Sequence, residues 1–228
     1  MSRSAAVKPP SPHVHAKHER RREQILRAAL GAFRERGVHA TTLAHIAARL
    51  GVRKTALYHY FPDKDAILYA CHRESLAELE RIVAESRALS APDERLRHVI
   101  VEHVRVMTDT LDGSPLAFEV PALEPARQAE IIAGRDAYER ELRRVIEQGV
   151  RTGAFRRVDA KLAAFAILGA INWVARWYHP EGELRADAIG AQFADHLVGG
   201  LALAPRRPRL ARGRPARAGA HAVRKATA

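Results

Sequence analysis

Cysteine is almost absent from this chain, whose 228 residues include only Cys71. An internal disulfide is therefore excluded, and a cytoplasmic location is expected. Long apolar runs are also missing: no stretch of about 18 apolar residues occurs, so no membrane-spanning helix is predicted. The first residues lack the apolar segment of a secretory signal. With 47% hydrophobic and 28% charged residues, the composition is typical of a globular protein.

Acidic residues are scarce at both ends of the chain. Residues 1–22 carry a net charge of +5 and residues 204–228 one of +8, which leaves −1 on residues 23–203. We interpret residues 1–17 as a disordered arm, because they are rich in Pro, Ser and His and show no periodicity. We interpret residues 204–228, which carry eight Lys or Arg and no acid, as a basic disordered tail. Such ends are either nucleic-acid-binding arms or solvated segments without a role.

The motifs of common enzyme classes are missing as well. The chain has no Gly-rich phosphate loop, no Gly-x-Ser-x-Gly turn and no paired Cys ligands. Its twelve histidines are scattered, and only His13, His15 and His18 cluster, in the N-terminal arm. We therefore expect no catalytic residue, no metal site and no cofactor. An enzyme is nevertheless the chief rival class.

Residues 18–64 have the pattern of a helix-turn-helix unit. A first helix begins near His18 and ends at Gly37. Thr42 suits the N-cap of a second helix, because its hydroxyl can accept an otherwise unpaired backbone N–H. Gly51 stops this second helix in a tight turn. In such a unit, the helix after the turn enters the major groove of DNA.

The helix after this turn, from about Arg53 to Tyr60, has the composition of a recognition helix. Its cations and hydroxyls suit phosphate contacts, and its small residues permit close approach to base edges. Asp63 is expected to cap a long fourth helix. A plain three-helix bundle with a polar face is the alternative. The predicted DNA contacts are Thr42, Arg53, Lys54, Thr55, Ala56, Tyr58, His59, Tyr60 and Lys64.

Residues 23–68 resemble the DNA-binding segment of the TetR family of transcriptional regulators. The matching residues are Ile25-Leu26, Ala28-Ala29, Phe33, Thr41-Thr42-Leu43, Ile46-Ala47, Gly51-Val52, Leu57-Tyr58-His59-Tyr60-Phe61, Lys64 and Asp65. Arg53 departs from the family pattern, which more often has Ser there. The resemblance implies an all-α protein with an N-terminal three-helix DNA-binding domain at 18–64. A C-terminal helical ligand-binding and dimerisation domain would follow at 65–203.

Helical periodicity continues through the second half, and no β signal appears. The predicted helices run from a cap at Ser90, with Pro92 in the first turn, to Gly113, from Glu124 to about Arg151, from Asp159 through Tyr178, and from about Ala186 to Gly199.

Residues 162–175 are apolar on every face except at Asn172. Fourteen residues are too few to span a bilayer, so a buried helix is predicted. Such a helix needs packing partners on two sides. One can be the core of its own subunit, and the other can be a partner subunit. In the TetR family the last two long helices pair with their symmetry mates, so the resemblance implies a homodimer with recognition helices about 34 Å apart. The predicted interface residues are Phe165, Gly169, Trp177, Phe193 and Leu197.

The resemblance also implies a ligand pocket among the helices that follow the DNA-binding domain. For Arg135 the alternative to a ligand contact is a side chain that extends to solvent, and we favour that alternative. His103 is expected as a hydrogen-bonded core histidine, and Asn172 suits a hydrogen bond across the dimer. The predicted ligand-binding residues are His103, Met107, Phe118, Arg135, Tyr138, Asn172, Trp173 and Arg176.

The segment 171–180, followed by Gly182, is similar to regulators of fatty-acid, aromatic-acid and steroid degradation that sense acyl-CoA thioesters. This implies an acyl pocket with Arg135 and Arg176 near the CoA phosphates; Arg176 and Trp177 suit dimer or surface packing equally well. The expected function is a repressor released from operator DNA by an acyl-CoA or related carboxylic acid. An activator of the same fold and a sequence-indifferent architectural DNA-binding protein are the alternatives.

The C-terminal tail contains Arg212-Gly213-Arg214-Pro215, which resembles the core of an AT-hook. In such a peptide the arginines lie in a narrow minor groove. Generic attraction to phosphates is the simpler interpretation of a tail this rich in Ala, Arg and Pro.

Overall fold

The computed structural model describes residues 12–110 and 115–203, whose regular secondary structure consists of helices and one isolated bridge between Phe155 and Ala202. The helices are α1 (Pro12–Ala40), α2 (Leu43–Arg49), α3 (Lys54–Leu57), α4 (Lys64–Ser86), α5 (Pro92–Arg105), α6 (Pro125–Thr152), α7 (Ala160–Trp177) and α8 (Ala186–Leu201). A π-helical turn (Val106–Thr110) and two 3₁₀ turns (Pro115–Phe118 and Val120–Ala122) lie between α5 and α6. The tail motif Arg212-Gly213-Arg214-Pro215 and the expected helix end at Gly113 lie outside the described residues.

Local capping chemistry sets several of these boundaries where the sequence predicted them. The Thr42 hydroxyl accepts a hydrogen bond from the His45 backbone N–H at 3.3 Å, and the His45 ring accepts one from the Thr42 N–H. Asp63 accepts from the Ala66 N–H at 2.6 Å and begins α4. Gly51 has a φ of 65°, which a residue with a Cβ rarely adopts, and this permits the tight turn after α2.

Three predicted boundaries are wrong. Helix α1 begins at Pro12 rather than near His18, so residues 12–17 are helical and not part of a disordered arm. Helix α3 ends at Leu57, because the chain turns through Tyr58 and the Phe61 N–H closes back on the Leu57 carbonyl at 2.9 Å. The N-cap of α5 is Ala91 rather than Ser90, and its side chain makes no capping bond.

Helices α1 to α3 form one compact layer, and α4 joins it to the rest of the protein. The buried side chains of α1, α2 and α3, among them Phe33, Ile46 and Leu57, share a core with Ile67 of α4. In the second half, α5 packs along α8, and α6 packs between α4 and α7. Within 12–110 and 115–203, no helix has the length and apolar content needed to cross a membrane.

The end of α6 is closed by a contact that requires glycine. A Cβ on Gly149 would lie 2.0 Å from a ring carbon of Phe155, a side chain that is itself 2% exposed. We expect Gly149→Ala to lower the free energy of unfolding by about 1–3 kcal/mol, because the buried ring must move. Urea unfolding would measure it. Gly199→Ala is the control: no atom lies within 4 Å of its added Cβ, so equal losses in both variants would contradict the contact.

Candidate nucleic-acid interface and ligand cavity

The turn before α3 and α3 itself present a surface without acidic groups. No Asp or Glu occurs between residues 36 and 62, whereas four Arg or Lys residues do. The side chains of Arg53, Lys54 and Thr55 are exposed at the start of α3, and Thr42 is exposed at the start of α2. These groups therefore form a positive surface at the ends of two short helices, which suits a phosphate backbone.

The exposed aromatic side chains extend this surface beyond the end of α3. Tyr58 is 48% exposed, and the Lys54 ammonium lies 5.6 Å from its ring centroid. This cation–π contact holds the lysine over the face of the phenol. His59 is also exposed, whereas Ala56 is half-buried. The surface thus has two cations, a phenol and an imidazole close together.

Two predicted DNA contacts are engaged within the protein. Lys64 donates from its Nζ to the Val38 carbonyl at 2.7 Å and to the His39 carbonyl at 3.3 Å, so it ties α4 to the end of α1. Tyr60 is half-buried, and its ring stacks on His18 at a centroid distance of 4.7 Å. The polar or aromatic groups of both residues already have partners in α1, so we interpret both residues as holding the recognition surface in place rather than contacting DNA.

Sequence reasoning missed the part of α1 that carries this support. His18 stacks on Tyr60, and the Arg22 guanidinium lies 4.5 Å from the centre of the Phe61 ring. His18, Arg22 and Leu26 are spaced by four residues, so they continue the apolar stripe of α1 toward its N-terminus. Extending the helical periodicity by two turns would have found them.

A small cavity lies between α4, α5, α6 and α7, and it brings together five of the eight predicted ligand residues. Its volume is about 80 Å³. Its lining consists of Ser75, Leu79, His103, Met107, Ala117, Arg135, Tyr138, Leu168 and Asn172. The mixture of apolar side chains and a few polar groups is typical of a small-molecule site.

Polar contacts organise one wall of this cavity. The Tyr138 hydroxyl lies 3.1 Å from His103 Nδ1, and the two rings meet edge to face. The expected hydrogen-bonded core histidine is therefore present. Arg135 turns inward and donates to the Ala117 carbonyl at 2.7 Å, with His72 Nδ1 at 3.3 Å. The prediction that Arg135 extends to solvent is thus wrong, because carbonyls inside the protein satisfy its donors.

Burial makes the charged forms of these groups costly. Desolvation, with a smaller contribution from the Arg135 charge, lowers the pKa of His103 to about 3 and that of His72 to about 3. Burial lowers the pKa of Arg135 to about 10 and raises the pKa of Tyr138. At neutral pH the cavity wall therefore holds one cation, Arg135, and the uncharged imidazole of His103, and the uncharged imidazole of His72 lies beside Arg135.

The other three predicted ligand residues lie outside the cavity and form a cluster on the surface. Phe118 and Trp173 are 39% and 58% exposed, and their rings meet edge to face at 6.4 Å. The guanidinium of Arg176 lies 4.5 Å from the centre of the Phe118 ring. The sequence pattern did not separate these residues from the cavity, because Asn172 and Trp173 are adjacent on α7 but point in different directions.

Helix α7 has an exposed apolar face. Leu162, Phe165 and Trp173 are 65%, 50% and 58% exposed, and Gly169 lies between them on the same side. This face is uncovered in the single chain, so the expected burial of the helix on every side stays a prediction that depends on a partner subunit. Trp177, Phe193 and Leu197 are half-buried. A groove of about 480 Å³ runs between α7 and α8 and is lined by Leu162, Ala166 and Leu197, among others.

Helix α4 connects the recognition surface to the cavity. It begins beside α1 at Lys64, and Ser75 and Leu79 in its second half line the cavity. Polar contacts also tie it to α6: Arg127 pairs with Asp65, and the Tyr69 hydroxyl donates to Glu130 at 2.6 Å. A shift of α4 relative to α6 would therefore change both the cavity and the position of α3.

Two family models cover most of this arrangement. Residues 25–71 match the model described as bacterial regulatory proteins, tetR family, and residues 89–201 match the tetracyclin repressor-like C-terminal domain. The first match contains α2, α3 and the start of α4. The second contains α5 to α8 and most of the cavity.

Known proteins resemble the chain over most of its length. It is 32% identical over 202 residues to the HTH-type transcriptional repressor KstR2 of Rhodococcus jostii (strain RHA1), which covers 85% of this chain and 97% of the relative. The structure of KstR2 of Mycobacterium tuberculosis, a ketosteroid transcriptional regulator, is 27% identical, with a TM-score of 0.74 over 81% of this chain and 96% of that one.

A third similar structure is AibR in complex with isovaleryl coenzyme A and operator DNA. It is 28% identical, with a TM-score of 0.69, over 79% of this chain and 97% of that one. The two domain models, the full-length similarity to a repressor and the shared fold lead to one conclusion: the chain belongs to the TetR family of bacterial regulatory proteins and is a helix-turn-helix transcriptional regulator.

Proposed function

We propose that this protein is a homodimeric repressor that binds operator DNA and releases it when a small molecule, an acyl-CoA thioester or related carboxylic acid, enters the cavity. The observation that carries this proposal is α4, which supports the recognition surface at Lys64 and lines the cavity at Ser75 and Leu79. The similarity to AibR, which was solved with isovaleryl coenzyme A and operator DNA, supports the choice of ligand class.

Release of DNA follows from the small size of the cavity. At about 80 Å³ it is smaller than a typical ligand pocket of about 300–1,000 Å³, so an acyl group must displace the helices around it. Ser75 and Leu79 move with α4, and α4 shares a buried core with α3 through Ile67 and Leu57. In a two-state scheme the ligand selects the open arrangement and the operator selects the closed one. Ligand and operator must then weaken each other's binding by the same factor.

The surface cluster of Phe118, Trp173 and Arg176 contributes to ligand binding in this proposal. Arg176 is an exposed cation over Phe118, beside Trp173. We assign to Arg176 the phosphates of a bound CoA, since a guanidinium suits them and the inner cavity has no room for them. Arg135 remains inside, with the acyl end. The two arginines that the sequence grouped together therefore have different roles in the proposal.

The test of the DNA-binding proposal is a binding curve of the full-length protein to the duplex flanking its own gene, compared with a random duplex. We expect specific binding at least about 1,000-fold tighter than random binding. A random duplex bound equally well would overturn the proposal and favour the architectural alternative. Adding isovaleryl-CoA or another short acyl-CoA should release the specific duplex, and enhanced binding on addition would contradict the repressor mechanism.

Lys54→Ala tests the recognition surface. We expect operator affinity to fall by at least about fivefold, and the slope of log K against log salt to become shallower by about two, because a dimer loses one phosphate contact in each subunit. Arg140→Ala, which removes an exposed cation from α6, is the matched control. If both variants change the slope equally, the assignment of Lys54 fails.

A further inference from the structure

The polar groups that line the cavity are hydrogen-bond donors or can act as donors. They belong to Ser75, His103, Arg135, Tyr138 and Asn172, and no carboxylate is among the described lining residues. Leu79, Met107 and Leu168 supply the apolar remainder. A ligand that fits such a site is mostly apolar and brings its own acceptor oxygen, because buried donors without an acceptor are costly.

Arg135 is the strongest of these donors. Its contacts are the Ala117 carbonyl at 2.7 Å, the Leu116 carbonyl at 3.4 Å and His72 Nδ1 at 3.3 Å, all of them uncharged. Among the described residues it pairs with no carboxylate, and burial alone accounts for the lowered pKa of its guanidinium. A half-buried cation with only neutral partners gains from an anion or a strong dipole.

The position of Arg135 decides which part of a ligand it can meet. It lines a cavity of about 80 Å³ between four helices, whereas Arg176 lies on the surface. The nucleotide and phosphates of CoA are far larger than this cavity. The group that reaches Arg135 must therefore belong to the acyl chain, at the end remote from the thioester.

We propose that the inducer carries an acceptor oxygen, as a carboxylate or a ketone, at the far end of its acyl chain, and that Arg135 binds this oxygen. The inference rests on the proposed function, and it narrows the ligand class from acyl-CoA thioesters in general to oxidised ones. The guanidinium keeps its contact with Ala117 and offers its remaining N–H groups to the ligand. A carboxylate can accept two of them and a ketone one or two.

The experiment compares three six-carbon thioesters on the full-length protein bound to its operator: hexanoyl-CoA, 5-oxohexanoyl-CoA and adipoyl-CoA. We expect both oxidised thioesters to release DNA at a concentration at least about tenfold lower than hexanoyl-CoA does. Adipoyl-CoA acting best would identify a carboxylate, and 5-oxohexanoyl-CoA acting best would identify a ketone. Equal potency of all three would overturn the inference and leave the proposed function intact. If none of the three thioesters releases DNA, and no other short acyl-CoA does so, the result counts against the proposed function itself.

Two variants locate the effect at Arg135. Arg135→Leu should reduce the preference for oxidised thioesters to less than about threefold, whereas Arg135→Lys should retain a preference for adipoyl-CoA, because it keeps the charge. Thermal unfolding of each variant verifies that it folds. Undiminished preference in a folded Arg135→Leu protein would overturn the assignment.

Asp112 is the one acid among residues 111–114, which lie outside the described residues and shortly precede the carbonyls that Arg135 contacts. Asp112→Asn separates an internal ion pair from a ligand site. We expect this variant to keep the preference of the wild-type protein. A preference that exists only in Asp112→Asn would mean that Asp112 already satisfies Arg135, and it would overturn the inference.

Discussion

Phe165→Arg is expected to convert the protein to a monomer and to weaken operator binding by at least about 100-fold, because two linked recognition surfaces reinforce each other through a high effective concentration. Phe165 is 50% exposed in the middle of the apolar face of α7, between Leu162 and Gly169. A guanidinium at this position would be buried without a partner in a dimer that pairs α7 and α8 across a two-fold axis. Light scattering measures the mass, and fluorescence anisotropy measures the affinity for operator.

The matched control is Ile132→Arg, the same change at an apolar side chain of α6 that is 44% exposed. This variant should stay dimeric and bind operator normally. Dissociation by Ile132→Arg together with an intact Phe165→Arg dimer would place the interface on α6. A monomeric Phe165→Arg protein with full operator affinity would instead show that dimerisation is not needed for binding.

A second large effect is expected from pH. His103 and His72 have pKa values of about 3 in the folded protein, chiefly because burial disfavours their charged forms, against an ordinary value of 6.5. Below about pH 6.5 the unfolded chain therefore binds protons that the folded protein does not. The free energy of unfolding should fall with decreasing pH, by about 1–2 kcal/mol for each histidine between pH 6.5 and 5. Urea unfolding at fixed protein concentration measures this slope.

His103→Gln separates the histidine contribution from that of other groups. Glutamine offers Tyr138 a hydrogen-bond partner but does not titrate, so we expect the slope to become shallower by the share of one histidine. His179→Gln removes an exposed histidine and is the control. If the wild-type protein loses no stability between pH 6.5 and 5, then these two histidines are solvated or protonated in the folded protein. That result would contradict their burial in the structure.

The helix-turn-helix unit was predictable because its signals are local. The cap at Thr42, the glycine turn at Gly51 and the cap at Asp63 each depend on a few neighbouring residues, and the structure has all three. The length of α3 was not predictable to the same degree. The sequence analysis extended α3 through residues 58–60, but the chain turns there and Tyr60 contacts His18 of α1.

The candidate ligand site was only partly predictable, for a geometric reason. Periodicity assigns residues to a face of one helix, and it selected His103 and Tyr138 correctly as cavity-facing residues. The resemblance to acyl-CoA-sensing regulators grouped Arg135 with Arg176 as cations for the CoA phosphates. The packing of α6 and α7 then placed one inside and the other on the surface. Lys64 shows the same limit, since its carbonyl partners come from α1.

The sequence by itself determined the helical class, the family, the caps and the basic recognition turn, since each depends on residue type and on spacing within a few turns of helix. Only the tertiary structure decided which polar side chains share the cavity, which apolar face stays uncovered on α7, and that α4 contacts both functional surfaces. These features depend on how distant segments cross in space. Two neighbours such as Asn172 and Trp173 acquire opposite surroundings only when the other helices are in place.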